Sequence, residues 1–204
     1  MKNKQIFKIV AKLNFDKLSL LIDKGIDLNI YSEYPPCHSL LQFAIALEEH
    51  SDKSIAMVRA IMDSGVDVNA WDLEQQNNPI ILAANYNNKD IVMMLLELGA
   101  NPNVINDQGN FPLRYAVKLG NFDMAQILLE NEGVDNINTP GGLSGMSPLG
   151  FAVNNGDIKM IALLLEFGAD PIKHDNVYMT PIQRLQKNAS IETRKMISEL
   201  LNVE

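Results

Sequence analysis

Asn78-Pro79-Ile80-Ile81-Leu82-Ala83-Ala84, followed by an apolar stretch and then Gly99-Ala100-Asn101-Pro102-Asn103, is the stretch that decides the fold. Proline suits the first turn of a short helix, because its ring presets φ and its missing N–H has no partner there. The small Ala83 and Ala84 let a neighbouring helix approach. Gly99 stops a second helix, since the chain there must enter a left-handed conformation that glycine adopts without strain. The opening of this frame recurs at Phe111-Pro112-Leu113-Arg114-Tyr115-Ala116 and at Ser147-Pro148-Leu149-Gly150-Phe151-Ala152. It returns with a departure at Thr180-Pro181-Ile182-Gln183-Arg184-Leu185.

The turn glycines Gly25, Gly65, Gly99, Gly133 and Gly168 are separated by 40, 34, 34 and 35 residues. Between them, apolar residues fall at i, i+3 and i+4, the spacing of a buried helical stripe. In residues 70–103 the expected inner faces are Ile80, Ala83 and Ala84, then Ile91, Val92, Leu95 and Leu96. Residues 104–138 repeat the plan through Leu113, Ala116, Val117, Met124, Ile127, Leu128 and Leu129. Residues 139–172 repeat it through Leu149, Ala152, Val153, Met160, Ile161, Leu164 and Leu165. Residues 31–69 form a looser copy. At the ends, Lys4, Lys8 and Lys12 lie opposite Ile6, Ile9, Val10 and Leu13, and Met196, Ile197, Leu200 and Leu201 are expected to face inward from a last helix. The methionines Met93, Met124 and Met160 read as core filling.

A period in the low thirties with this phrase resembles the ankyrin repeat. The resemblance implies an all-α ankyrin-repeat solenoid of about six helix-turn-helix units in one domain, 1–204. The units are approximately 1–30 as a cap, 31–69, 70–103, 104–138, 139–172 and 173–204 as a second cap. The Thr of the family's Thr-Pro-Leu-His phrase survives only at Thr180, and its His is replaced by Gln42, Ile81, Arg114, Gly150 and Gln183. In the family those two side chains tie adjacent repeats, so looser polar coupling is expected here. Glu132 and Asn136 look like insertions, and Asn138 to Met146, with Gly141, Gly142 and Gly145, is expected to be a flexible finger. The last unit carries extra residues near Ala189 to Thr193.

Composition narrows the function. Hydrophobic residues make up 47% of the 204, and the net charge is −8. Residues 1–34 hold six lysines against four carboxylates, whereas 35–170 hold six bases against seventeen acids. An acidic middle disfavours DNA or RNA, which needs a basic stripe, and attracts a basic protein surface. Two repeated positions supply much of this charge: Asp23, Asp63, Glu97, Glu130 and Glu166 at helix ends, and Asp27, Asp67, Asp135 and Asp170 in the glycine turns. The single Cys37 forms no internal disulfide, and no continuous apolar run reaches a membrane span or a signal peptide. A cytoplasmic monomer away from membranes is the expectation. No enzyme is expected either: the three histidines show no metal spacing, no phosphate loop is present, and no cofactor motif occurs. Cys37-His38 suggests a thiol dyad only superficially, because adjacent loop side chains seldom face each other.

The resemblance implies binding of another protein through a concave face and loop tips, and the acidic middle of the chain suggests that this partner is basic. Carried over unit by unit, the loop starts are Tyr31, Trp71, Ile105, Pro140 and His174. The tips include Glu74, Gln75 and Asn77, then Asp107, Gln108 and Asn110, with Tyr178 in the last unit. First-helix positions are Asn85 and Tyr86, Lys118 and Leu119, Asn154 and Asn155. Trp71, the only tryptophan, is expected at a solvent-facing place as an interface anchor, while Tyr115 is expected to pack. Alternative readings are an immunity protein or inhibitor that sterically blocks a basic toxin or enzyme, and a host-directed bacterial effector.

Overall fold

The structure, a computed structural model, describes residues 3–35, 37–47, 51–74, 76–131, 135–185 and 190–201. The chain divides into two compact units, Met1–Asn101 and Pro102–Glu204. The first contains α1 (Asn3–Ala11), α2 (Phe15–Asp23), α3 (Leu40–Ile45), α4 (Asp52–Asp63), α5 (Pro79–Asn85) and α6 (Lys89–Glu97). The second contains α7 (Pro112–Lys118), α8 (Phe122–Glu130), α9 (Pro148–Asn155), α10 (Ile158–Glu166) and α11 (Ile191–Leu201), with 3-10 turns at Asn136–Asn138 and Pro181–Arg184. Among the described residues no strand forms, and a lone antiparallel bridge joins Tyr31 to Ser39. No described helix is long and apolar enough to cross a membrane.

Local chemistry sets the helix starts. Each of α2, α6, α8 and α10 is opened by a short polar side chain that accepts a hydrogen bond from a backbone N–H of the first turn: Asn14, Asn88, Asn121 and Asp157. The first helices α5, α7 and α9 carry proline in their opening turn. Ser39 and Gln42 form a reciprocal capping box on α3. Phe111 occupies the cap position of α7 without bonding and is instead fully buried, trading a cap for apolar packing.

Antiparallel pairs α1–α2, α3–α4 and α5–α6 stack in the first unit, α3 lying against α1 and α5 against α3. Phe7 of α1 meets Phe43 of α3 edge to face at 5.0 Å. In the second unit α7–α8 and α9–α10 pair, α9 packs on α7, and α11 covers α10. Leu41, Ile61, Ile81, Leu95, Leu113, Leu128 and Leu164 are buried as the periodicity requires. Truncating one of these leucines to alanine costs about 2–5 kcal/mol. Two inward assignments fail: Met93 is 39% exposed while Met94 is buried, and Met196 is 44% exposed. Ile9, Leu13, Leu96, Ile127, Leu165 and Leu200 are only half-buried, and in α6 and α10 the inner stripe takes in Met94 and Leu163 where Leu96 and Leu165 were expected.

Polar coupling between repeats is present rather than loose. Gln42, fully buried, donates from Nε2 to the Asn77 carbonyl at 2.6 Å. Arg114 donates from Nη1 to the Met146 carbonyl at 2.8 Å. Both carbonyls immediately precede the cap residue of the following first helix, so amide and guanidinium do the task expected of the absent histidine. A second ladder runs through the asparagines of the glycine turns. Asn29 accepts from the Asp67 N–H and Asn69 from the Asn101 N–H in the first unit. Asn103 accepts from Asp135 and Asn138 from Asp170 in the second. Asn69 and Asn138 also donate to the Gly99 and Gly168 carbonyls.

The segment 138–146 is braced, contrary to the flexible finger inferred from its glycines. Gly142 N–H bonds the Gly109 carbonyl at 3.0 Å, and the Gly145 carbonyl accepts from Asn176 N–H at 3.2 Å. A Cβ on Gly141 would lie 2.1 Å from the Gly109 oxygen, and one on Gly142 2.5 Å from Arg114 Nη2. These glycines serve close approach, not mobility. Of the insertions noted in the sequence, Glu132 lies outside the described residues, as do the turn glycine Gly133 and the start of the extra stretch at Ala189. Asn136 is buried in its 3-10 turn.

Candidate functional site

Each unit projects loops whose backbones are closed by their own hydrogen bonds and then tied to a neighbouring loop. In the loop before α5, Asp72 N–H reaches the Asn77 carbonyl, Asp72 Oδ1 accepts from Gln76 N–H, and Leu73 N–H reaches Cys37 of the preceding loop. In the second unit, Asn106 and Asp175 fold their loops in the same way: Asn106 Oδ1 accepts from Gln108 and Asn110, and Asp175 Oδ1 from Val177 and Met179. Asp175 also pairs with Arg184 through Nε at 2.6 Å. Burial by itself would raise the Asp175 pKa, but the Met179 and Val177 N–H groups and the Arg184 guanidinium outweigh it and hold the carboxyl below its ordinary value.

In four of the loops the residue two positions before the cap takes a left-handed backbone: Cys37 (φ 54), Gly109 (φ 71), Gly145 (φ 64) and Tyr178 (φ 60). Cysteine and tyrosine there are strained where glycine is not, at a cost of about 1–2 kcal/mol. Strain retained at an exposed aromatic calls for a reason outside packing.

Braced in this way, the loops hold apolar side chains out into water. The first unit exposes Tyr34 and Leu73, and the second exposes Val177, Tyr178 (85%) and Leu143, which is without cover. Tyr34 is the exception with a local partner, since Lys4 of α1 bonds its hydroxyl at 3.4 Å and lies over its ring. Leu73, Leu143 and Val177 escaped the sequence reading. Their signal was an apolar residue at a tip where the repeat demands only turn formers.

The anticipated site residues divide. Glu74, Tyr86, Ile105, Asp107, Gln108, Lys118, His174 and Tyr178 are exposed. Tyr31 and Asn154 are half-buried, and Gln75 lies outside the described residues. Asn77 and Asn110 are half-buried and spend their backbone groups closing their loops. Trp71 is half-buried rather than solvent-facing, because the loop closed by Asp72 and Asn77 holds it partly down. Tyr115 is half-buried, as packing requires, with the Lys118 ammonium 6.0 Å from its ring centre; burial pushes its phenol pKa up.

Charge is distributed in two different ways. Asp27, Asp67 and Asp170 each accept a backbone N–H within their own turn, so they are structural. Asp23, Asp63, Glu97, Glu130 and Glu166 are exposed at the C-terminal ends of second helices, where the helix dipole disfavours a carboxylate. His38 is half-buried next to a hollow of about 320 Å³ lined by Tyr34, Pro35 and Phe43, which neither Cys37 nor Asp72 lines. Burial lowers the His38 pKa, against the opposing pull of Asp72 and Glu74. Among the described residues no cluster of three or more His, Cys, Asp or Glu is placed to hold a metal ion.

Comparison with known proteins agrees with this architecture. The family described as ankyrin repeats (three copies) matches residues 41–139 and, in an overlapping placement, 80–175. The putative ankyrin repeat protein YahD of Escherichia coli is 27% identical over 191 residues, covering 90% of this chain and 89% of YahD. Phosphocholine transferase AnkX of Legionella pneumophila is 31% identical over 118 residues, or 57% of this chain. The human transient receptor potential cation channel subfamily A member 1 is 28% identical over 174 residues, or 80% of this chain. The chain spans only 12% and 15% of the length of these last two. Among solved structures, the crystal structure of the ankyrin repeat protein EF0377 superposes with a TM-score of 0.76 over 96% of this chain and 94% of its own, at 22% identity. That likeness concerns the fold.

Proposed function

This chain belongs to the ankyrin-repeat family, and on that premise we propose that it is a binding module without catalysis that engages a partner protein through its loop tips and the exposed ends of its first helices. Ankyrin repeats mediate protein–protein interaction. The observation that carries the reading to particular residues is the set of apolar side chains held out on braced loops, above all Leu143 and the strained Tyr178. An ordered loop loses little entropy when its tip is covered, so burial of such side chains is returned as affinity. In the first unit Leu73, Glu74 and Tyr86 occupy the corresponding places, with the half-buried Trp71 at their base. The acidic balance of residues 35–170 favours a partner with a basic face. Its effect on that partner is steric, by occupation.

The test is capture from a lysate of the source cells at low and high salt, comparing the wild-type chain with a Leu143→Ser/Tyr178→Ser variant. Loss of the captured protein from the variant, and weakening in high salt, are the expected results. Retention by the variant overturns the assignment of the tips, and indifference to salt overturns the basic partner.

A further inference from the structure

A reversal of local charge lies away from the loop tips, on the first helix pair. A groove of about 460 Å³ runs between α1 and α2. Ile9 of α1 and the buried Leu21 and half-exposed Leu20 of α2 line it with apolar surface, together with Lys8, Lys12, Lys17 and Lys24. No carboxylate lines it, in a chain whose net charge is −8. Among the described residues none of these lysines makes an ion pair.

The spacing explains the shape. Lys8 and Lys12 are one turn apart on α1, so they share an edge. Lys17, Leu20 and the cap residue Lys24 fall at i, i+3 and i+7 along α2, one stripe about 10 Å long. Two paired helices leave a furrow between them, and α1 also packs against α3. A third helix laid along the furrow would put its apolar stripe on Ile9 and Leu20 and its flanks between the two lysine rows.

We propose that this groove docks an acidic amphipathic helix of a partner protein, apolar at i, i+3, i+4 and i+7 and bordered by Glu or Asp. Charge complementarity selects that occupant: four unpaired ammonium groups lie beside apolar surface with no acid among them. A second copy of the chain fits less well. The acidic face that this chain offers, with Asp52, Asp63, Asp90 and Glu97, is itself a hollow of about 560 Å³, and two hollows do not fill each other. A flat anionic bilayer does not reach the floor of a furrow and is repelled by the acidic remainder of the chain.

The probe is a fluorescently labelled synthetic helix with leucines at the stated spacing and glutamates on both flanks, titrated with the intact chain and followed by anisotropy. Binding is expected at about 50 mM salt and weakens several-fold at about 300 mM as the lysine rows are screened. Leu20→Asp and Lys17→Glu, both at exposed positions, should each weaken it about tenfold or more, consistent with loss of a central anchor, with unchanged circular dichroism. Absence of binding, equal binding of a peptide with lysines on its flanks, or equal binding by Leu20→Asp overturns the proposal. So does sedimentation showing that the wild-type chain self-associates while Leu20→Asp does not. Retention on phosphatidylserine vesicles without peptide binding assigns the groove to a membrane and overturns it equally. None of these results bears on the loop tips, whose variants leave this groove intact.

Discussion

The loop that precedes α5 in the first unit and the loop that precedes α9 in the second are held by the same carbonyl but by unlike donors. In the first, Gln42 lies in a capping box: its Oε1 accepts from Ser39 N–H at 2.7 Å while its Nε2 reaches Asn77. In the second, Arg114 reaches Met146 and Ser144 Oγ, with its guanidinium 4.6 Å from the Phe151 ring centre. Burial lowers the Arg114 pKa, yet an arginine keeps its charge, and it is the ring and the oxygens that make the cation tolerable in a site only 4% exposed. The difference teaches that the repeat requires a donor of sufficient reach beneath the next loop, not one residue type.

The largest effect expected is therefore at Arg114. Arg114→Ala removes the charged donor to the Met146 carbonyl and Ser144 Oγ, which keep only longer bonds from the Gly141 and Met146 N–H groups, and leaves a void under Phe151, at about 3 kcal/mol of stability. Urea midpoints measure the cost, and hydrogen exchange at Gly142 and Gly145 should report loosening of that loop. A loss under about 1 kcal/mol would mean that the cation is incidental. Gln42→Leu comes next, at about 2 kcal/mol, because it strands the buried Ser39 N–H and leaves the Asn77 carbonyl with the Asp72 N–H alone. If Gln42→His recovers most of that loss, the two loops share one requirement; if it does not, the first unit depends on the capping box itself.

The asparagine ladder offers a comparison in which both units should respond alike. Asn69→Ala and Asn138→Ala each remove one bond to a neighbouring turn's N–H and one to its carbonyl, at about 1–2 kcal/mol apiece. Unequal losses would show that the units are braced differently. Cys37→Gly and Tyr178→Gly should act in the opposite direction, raising the melting temperature through relief of up to about 1 kcal/mol of strain each, less the added freedom of the unfolded chain. Tyr178→Gly is the sharper of the two, for it should stabilise the chain while weakening partner capture. The smallest effect is on acid stability. His38, with its folded pKa lowered, contributes stability that is fully present above about pH 6.5 and lost as pH falls from there through its lower folded value, whereas the contribution of Asp175, also lowered, is full above about pH 4 and lost below it. His38→Gln should flatten the upper part of the stability–pH curve and leave the lower part unchanged.

Much of this molecule could be read without coordinates, for a physical reason that can be stated residue by residue. A proline in the first helical turn, a short polar cap such as Asn88 and a glycine such as Gly99 act over four or five residues, and apolar spacing reports one face of one helix. Period, helix order and most of the core, from Ile6 to Leu164, follow from these local terms. The candidate site was legible only in part. Tyr86, Ile105 and Tyr178 could be found by counting from the cap residue, but the half-burial of Trp71 depends on how its loop closes.

What the sequence by itself determined is thus the repeat and its helices, since their signals are short in range and recur. What only the tertiary structure decided is the meaning of the exceptions: that Gln42 and Arg114 reach the next loop, that Gly141 and Gly142 mark contact with Gly109 and Arg114, and that four lysines share one furrow. Those facts join residues on different elements, in several cases more than thirty positions apart, and no local term acts across that distance until the helices have packed.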